Sequence, residues 1–163
     1  MTPEFIEAML DDRRDEAAAL LDIELPDEFP TEGERGFLAL RLRQMRKNEQ
    51  FHTWCPNAVV LDGTMIGHAG YHGPPGVNSA QNPEAVEYGY KIFSDWRGRG
   101  YATQAAVMLM DLAEERAGTR HFVLAIAPDN DPSLAIARRL GFVKTGEVMD
   151  EEDGLEHVYE LER

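Results

Sequence analysis

Cysteine is nearly missing from this sequence, and Cys55 is the single example. It can close no internal disulfide and no Cys/His cluster accompanies it, which excludes a disulfide scaffold and a thiolate zinc site and fits a reducing compartment. A lone buried thiol is its expected role. Long apolar runs are missing too. No stretch of eighteen apolar residues is present, and Met1-Thr2-Pro3-Glu4 lacks the basic segment and apolar core of a secretory signal, so a cytoplasmic protein with no membrane partner is expected. Positive charge is scarce, with 16 Lys and Arg against 30 Asp and Glu and a formal net charge of −14. That surplus repels polyanions, excluding nucleic acid as a natural partner while attracting cationic substrates.

What is present is unevenly placed. Residues 1–35 hold 12 acidic and 3 basic side chains, and residues 145–163 hold 8 and 1, whereas residues 91–144 hold 6 acidic and 8 basic. An anionic cofactor therefore belongs in the middle stretch, although acidic ends also serve solubility alone. At 163 residues one domain is the expectation, without internal repeat or linker.

The first 50 residues read as helical. Leu10, Ala17, Leu20 and Leu21 stand among charges at roughly helical spacing, and Glu34 to Asn48 carries Phe37, Leu38, Leu40, Leu42 and Met45. Pro26 and Pro30 interrupt the two. From residue 58 to 161 a sheet follows. Ala58 to Leu61 and Thr64 to Tyr71 flank Asp62-Gly63, the signal of a tight hairpin. The segment with Gly73, Pro74, Pro75, Gly76 and Asn78 is either a substrate loop or a long connection. A strand from Ala85 to Phe93, a turn at Arg97 to Gly100 and a helix ending near Gly118 come next, the helix placing Ala102, Ala105, Ala106, Leu109, Leu112 and Ala113 on one stripe. His121 to Ala127 is almost continuously apolar, as a strand covered on both faces would be. Asp131 as N-cap and Pro132 at the first turn open a helix closed by Gly141. Phe142 to Met149 and Leu155 to Leu161, joined by an acidic turn from Asp150 to Gly154, complete a mixed α/β sheet with a strand-helix-strand-helix centre.

Arg97-Gly98-Arg99-Gly100-Tyr101-Ala102-Thr103 lies between a strand and a helix, where unpaired N–H groups meet an anion. Glycine lets phosphate oxygens approach the backbone, and Arg97 and Arg99 add charge at the rim. A Walker motif is absent, and Thr103 stands where the dinucleotide fingerprint needs its third glycine. Here the sequence resembles the GNAT superfamily of acyl-CoA N-acyltransferases, whose Arg/Gln-x-x-Gly-x-Gly/Ala signature is met by Arg97, Gly100 and Ala102. Glu87-Tyr88-Gly89-Tyr90, Asn130, Ser133 and Leu140-Gly141-Phe142 look like the branch containing ribosomal-protein N-terminal acetyltransferases. The likeness is specific over Val86 to Phe142, and no counterpart of the family's first strand is evident.

The resemblance implies a single GNAT-like α+β domain, mostly antiparallel and flanked by helices, that moves acetyl from acetyl-CoA to a primary amine in a ternary complex. It implies a bulge at Tyr90, Lys91 and Ile92 whose main chain receives the pantetheine arm, with Gly98, Tyr101 and Thr103 sharing the pyrophosphate turn and Asn130 contacting cofactor or acceptor. A lysine-like amine, with pKa roughly 10.4, needs a base. The resemblance carries that role to Glu87; strand alternation sets Glu87, Gly89 and Lys91 on one face, and an exposed carboxylate paired with Lys91 is the equal alternative. Many relatives protonate the leaving thiolate with a tyrosine where this chain has Ala137, and Ser133 matches a serine thought to serve instead, unless it only bonds to its helix backbone. Ala137 motivates the rival reading of a non-catalytic acyl-CoA sensor, and a third is an α/β domain for another nucleotide. His68 and His72, four apart on a strand, stand roughly 13 Å from one another, so no metal is expected. His52, His121 and His157 read as surface or packing residues, and Trp54, Tyr71 and Tyr88 as core more than acceptor pocket. Homodimerisation and the acceptor are left open.

Overall fold

A computed structural model describes residues 1–150 and 154–163. Helices α1 (Pro3–Leu10), α2 (Arg14–Leu21), α3 (Glu32–Lys47) and α4 (Gln50–Thr53) precede strands β1 (Pro56–Leu61), β2 (Thr64–Tyr71) and β3 (Ala85–Ile92). A 3-10 turn at Ser94–Trp96 leads into α5 (Tyr101–Ala117), then β4 (His121–Ile126), α6 (Asp131–Leu140), β5 (Val143–Asp150) and β6 (Gly154–Glu162). The strands form one six-stranded sheet in the order β1-β2-β3-β4-β6-β5, in which only β3 and β4 run parallel. This is the mixed, mostly antiparallel α+β arrangement expected from the sequence.

Local chemistry explains the elements. At the β1–β2 hairpin Asp62 and Gly63 take φ of 49° and 84°, the positive angles a primed turn demands. Helix α3 starts two residues before the expected Glu34, because Thr31 and Glu34 form a capping box: the Glu34 carboxylate accepts the Thr31 N–H at 2.8 Å, and the Thr31 hydroxyl accepts the Glu34 N–H. The N-cap of α6 is Asn130 and not Asp131, its Oδ1 accepting the Ser133 N–H at 3.2 Å. Where one amphipathic helix was read near Leu10 to Leu21 there are two; α1 buries Phe5, Ile6, Ala8 and Met9, whereas α2 buries only Ala17 and leaves Leu20 exposed. In place of a family-type first strand the chain makes one isolated bridge, Glu24 to Thr64. The expected Asp150 to Gly154 turn has its two ends paired across β5 and β6, and residues 151–153 lie outside the described residues.

Two large cores hold the sheet, and Ala85, Val123 and Val158 form a third, smaller cluster. Along β3 the even residues Val86 and Tyr88 join Ala69 and Tyr71 of β2, Phe122, Leu124 and Ile126 of β4, and Ala105, Ala106, Leu109, Met110 and Ala113 of α5. Met110 takes the place expected for Leu112 in the buried stripe. Trp54, Tyr71 and Tyr88 are core residues, and the Tyr71 hydroxyl donates to the Leu109 carbonyl. The second core packs α1 and α3 against Met65 and Phe93, with Cys55 half-buried at its margin instead of fully enclosed. Helix α3 covers the odd face of β3, reaching it through Glu34 beside Lys91 and through Arg41, which donates to the His72 carbonyl at 2.9 Å.

Candidate active site

Strands β3 and β4 pair only at Ala85↔His121, Val86↔Phe122 and Glu87↔Val123. Beyond Glu87 they part, β3 staying in register with β2 as far as Gly67↔Ile92 and β4 with β6 as far as Ile126↔His157. The expected bulge is therefore absent from the β2–β3 ladder; the sheet opens by divergence on its other edge, which leaves the β4-facing main chain of Tyr88 to Ile92 outside the β3–β4 ladder. A cleft of about 650 Å³ occupies the gap, bounded by Tyr90, Lys91 and Ile92, by Arg97, Gly98, Gly100, Tyr101, Ala102 and Thr103, and by Asn130 and Ser133. Main-chain atoms and side chains of both faces of β3 thus meet in one opening.

The glycine turn borders the cleft with an open backbone. Gly98 and Gly100 have φ of 74° and 85°, and a Cβ built on either would meet no atom within 4 Å. Helix α5 has no side-chain cap, and its first intrahelical bond runs from the Gln104 N–H to the Gly100 carbonyl. The N–H groups of Tyr101, Ala102 and Thr103 therefore have no intrahelical acceptor and point where the helix dipole favours a negative charge. These residues fit a pyrophosphate. The Arg97 N–H is already taken by the Ser94 carbonyl at 3.3 Å, so the open donors start after it. The Arg97 side chain is anchored too, its Nε donating to the Ile92 carbonyl at 2.8 Å. Arg99 does not line the cleft; its guanidinium stacks over Trp96, 5.3 Å from the ring centroid, and donates to the Asp95 carbonyl.

Glu87 is not the exposed carboxylate that a surface strand would offer. Its side chain is 3% exposed, and Lys91 pairs instead with Glu34 at 2.8 Å. One Glu87 oxygen lies 2.9 Å from His72 Nδ1, and the other accepts from the Ser79 N–H at 2.5 Å and the Ser79 hydroxyl at 2.7 Å. Burial, the largest influence, pushes its pKa up, but the contacts with His72 and Ser79 outweigh burial and hold it below the ordinary carboxylate value. The loop that supplies Ser79 is tied down by its own bonds, among them Gly76 N–H to the Ala85 carbonyl and Asn78 to the Asn82 and Ala85 carbonyls.

Across the gap, on the even face, Tyr90 and Ser133 both line the cleft. Burial raises the Tyr90 phenol, with the neighbouring Ser133 side chain acting in the opposite sense. The Tyr90 hydroxyl has no hydrogen-bond partner of ordinary geometry among the described residues. Ala137 is fully buried in the core and does not border the cleft, so its side chain has no bearing on what a ligand there would meet. Asn130 spends Oδ1 on its cap yet still borders the cleft.

Sequence reasoning missed Trp96, Pro132, Ala135, Ile136 and Arg139, which complete the lining. The last four recur at helical spacing on α6, a signal that is visible once that face is known to look at a ligand and not at the core. It also missed His72, whose partner is set by strand register. Among the described residues no cluster of three His, Cys, Asp or Glu could hold a metal, and no helix is long and apolar enough to cross a membrane.

Comparisons with known proteins agree with this geometry. The ribosomal-protein-alanine N-acetyltransferase structure from Brucella melitensis is similar at 20% identity over 100% of this chain and 97% of that one, with a TM-score of 0.61. RimL, a ribosomal L7/L12 alpha-N-protein acetyltransferase solved in complex with coenzyme A, is similar at 19% identity and a TM-score of 0.64, over 99% of this chain and 90% of that one. At that identity the likeness shows the fold. A putative ribosomal N-acetyltransferase, YdaF of Bacillus subtilis (strain 168), is 28% identical over 92 residues, 56% of this chain and 48% of the relative, so the match spans about half of that protein. The family model described as acetyltransferase (GNAT) domain matches residues 3–143. The splayed parallel pair, the uncapped glycine turn and that match together make this chain a member of the GNAT acetyltransferase family.

Proposed function

We propose that the chain transfers an acetyl group from acetyl-CoA to a primary amine by direct attack in a ternary complex. The observation that carries this reading is the parting of β3 from β4 after Glu87, which brings main chain outside the β3–β4 ladder and the open N–H groups of α5 to one opening, with the buried Glu87 carboxylate behind it on the same strand. Tyr101, Ala102 and Thr103 with Gly98 and Gly100 would hold the pyrophosphate, and the main chain of Tyr90, Lys91 and Ile92 would receive the pantetheine arm. When bound, the donor supplies the activated thioester. This chain's residues orient it, draw a proton from the amine on the Glu87 side, and offer Ser133, with the Tyr90 phenol beside it, to the departing sulfur. A thiol pKa near 8.5 means that last donation assists more than it decides.

Two features support a cationic acceptor. The net charge of −14 raises the local concentration of amines, and the relatives named as ribosomal-protein N-acetyltransferases point to a protein N-terminus among the candidates, a small polyamine-like molecule being the other. The rival reading, an acyl-CoA sensor without turnover, drew on the absence of a tyrosine at Ala137; against it stand the Ser133 and Tyr90 side chains, which line the cleft and would offer a hydroxyl to the sulfur instead. Coenzyme A release measured with acetyl-CoA across peptide N-termini, polyamines, aminoglycosides and amino acids tests the proposal. Steady release with at least one amine is the expected result, whereas binding of acetyl-CoA without release for any of them returns the sensor reading.

A further inference from the structure

His72 follows β2 directly and sits opposite Glu87, its backbone N–H donating to the Glu87 carbonyl at 2.8 Å. The pair is unequal. The Glu87 side chain is 3% exposed and the His72 side chain 44% exposed, so the carboxylate is enclosed while the imidazole is reachable. Both Glu87 oxygens are engaged, Oε1 by His72 Nδ1 and Oε2 by Ser79, and Glu87 is not among the residues that line the cleft. The second ring nitrogen is differently placed. A Cβ built on Gly89 would find His72 Nε2 as its nearest atom, at 3.5 Å, which sets Nε2 over the next residue on the Glu87 face, one step from the Tyr90 to Ile92 lining of the cleft. Nε2 makes no hydrogen bond or ion pair among the described residues.

We propose that His72 is the base that takes the acceptor's proton at Nε2, and that Glu87 is the positioning residue that holds the imidazole with its proton on Nδ1. The proposal rests on the acetyl-transfer reading and gives it a proton route. The acceptor ammonium gives one proton to Nε2, and its freed electron pair forms the C–N bond to the thioester carbon. The C–S bond then breaks, and the second proton lost from nitrogen ends on the thiolate, leaving amide and coenzyme A, with the His72 proton passing to solvent. An imidazole suits the task because its ordinary pKa lies close to neutral pH. The charged groups that face it are Glu87 on β3, Arg41 on α3, whose guanidinium donates to the His72 carbonyl at 2.9 Å, and, farther along the same sheet face, Lys91 paired with Glu34, and His68. Ser79 from the preceding loop completes the surround.

Three variants of the full chain test it: His72→Ala, His72→Gln and Glu87→Gln. The His72 variants should lose about 100-fold or more in kcat, keep the wild-type affinity for acetyl-CoA, and lose the rising limb of the pH–rate profile, with free imidazole restoring part of the rate to His72→Ala. Glu87→Gln should displace that limb without abolishing it. Unimpaired kcat and an intact limb in folded His72→Gln would overturn the proposal, as would a limb that vanishes in Glu87→Gln but survives both His72 changes. A second readout needs no turnover. Nitrogen-15 spectra of the neutral His72 ring should show the proton on Nδ1, and a proton on Nε2 overturns the pairing even if no amine is found to react. A wild-type protein that releases coenzyme A with no amine counts instead against the acetyl-transfer reading.

Discussion

Glu34 is the residue whose ionisation the fold leans on most visibly. It is 5% exposed, and its carboxylate meets Lys91 at 2.8 Å, His68 at 3.4 Å and the Thr31 N–H. Burial acts to raise its pKa, but His68, Lys91 and Thr31 together hold it well below the usual carboxylate range. Because the folded value lies below the unfolded one of about 4.3, the stability Glu34 supplies is fully present above that pH and is lost as the pH falls toward the folded value. Glu34→Gln should therefore cost about 2 kcal/mol at neutral pH. Its chemical-denaturation midpoint should also fall less steeply than the wild type's between pH 5 and 3; parallel pH dependences would refute the assignment. The His68 and Lys91 partnership with Glu34 was hidden from the sequence, since it joins α3 to the sheet across more than thirty positions and leaves no local pattern.

At the scale of elements, legibility followed the range of the interactions. The Asp62-Gly63 hairpin, the start of α5 after Gly100, its end at Gly118 and the end of α6 at Gly141 are written in neighbouring residues, and the structure has each where the sequence set it. The α6 start was misplaced by one residue because Asn130 and Asp131 are both competent caps and only the geometry chooses. Asn130→Ala should accordingly cost about 1 kcal/mol by thermal unfolding, whereas Asp131→Ala should cost less. The parting of β3 and β4 was illegible for another reason: it is a property of two ladders competing for one strand, and residue types do not encode it. The glycine turn was legible as a candidate phosphate site but not as to which N–H groups remain open. Gly100→Trp offers the test, since its side chain finds open space where the donor's phosphates would lie. Calorimetry should show acetyl-CoA affinity lost by at least about 100-fold, and unchanged affinity would reject the turn as the cradle.

For the molecule as a whole, the charge and the fold make separate statements. A net charge of −14 should draw in cationic acceptors over distances that salt shortens, so KM for a polycationic acceptor should rise with ionic strength while KM for a neutral amine stays level. Equal salt dependence for both would show that the field takes no part. Acetyl-CoA at ~100 times its Kd should add about 2.7 kcal/mol to stability and raise Tm by several degrees. The three residue pairs between β3 and β4 give that shift a particular meaning. They are a narrow seam between two three-stranded panels, and a donor held in the gap would touch both, so that loading it would also rivet one panel to the other.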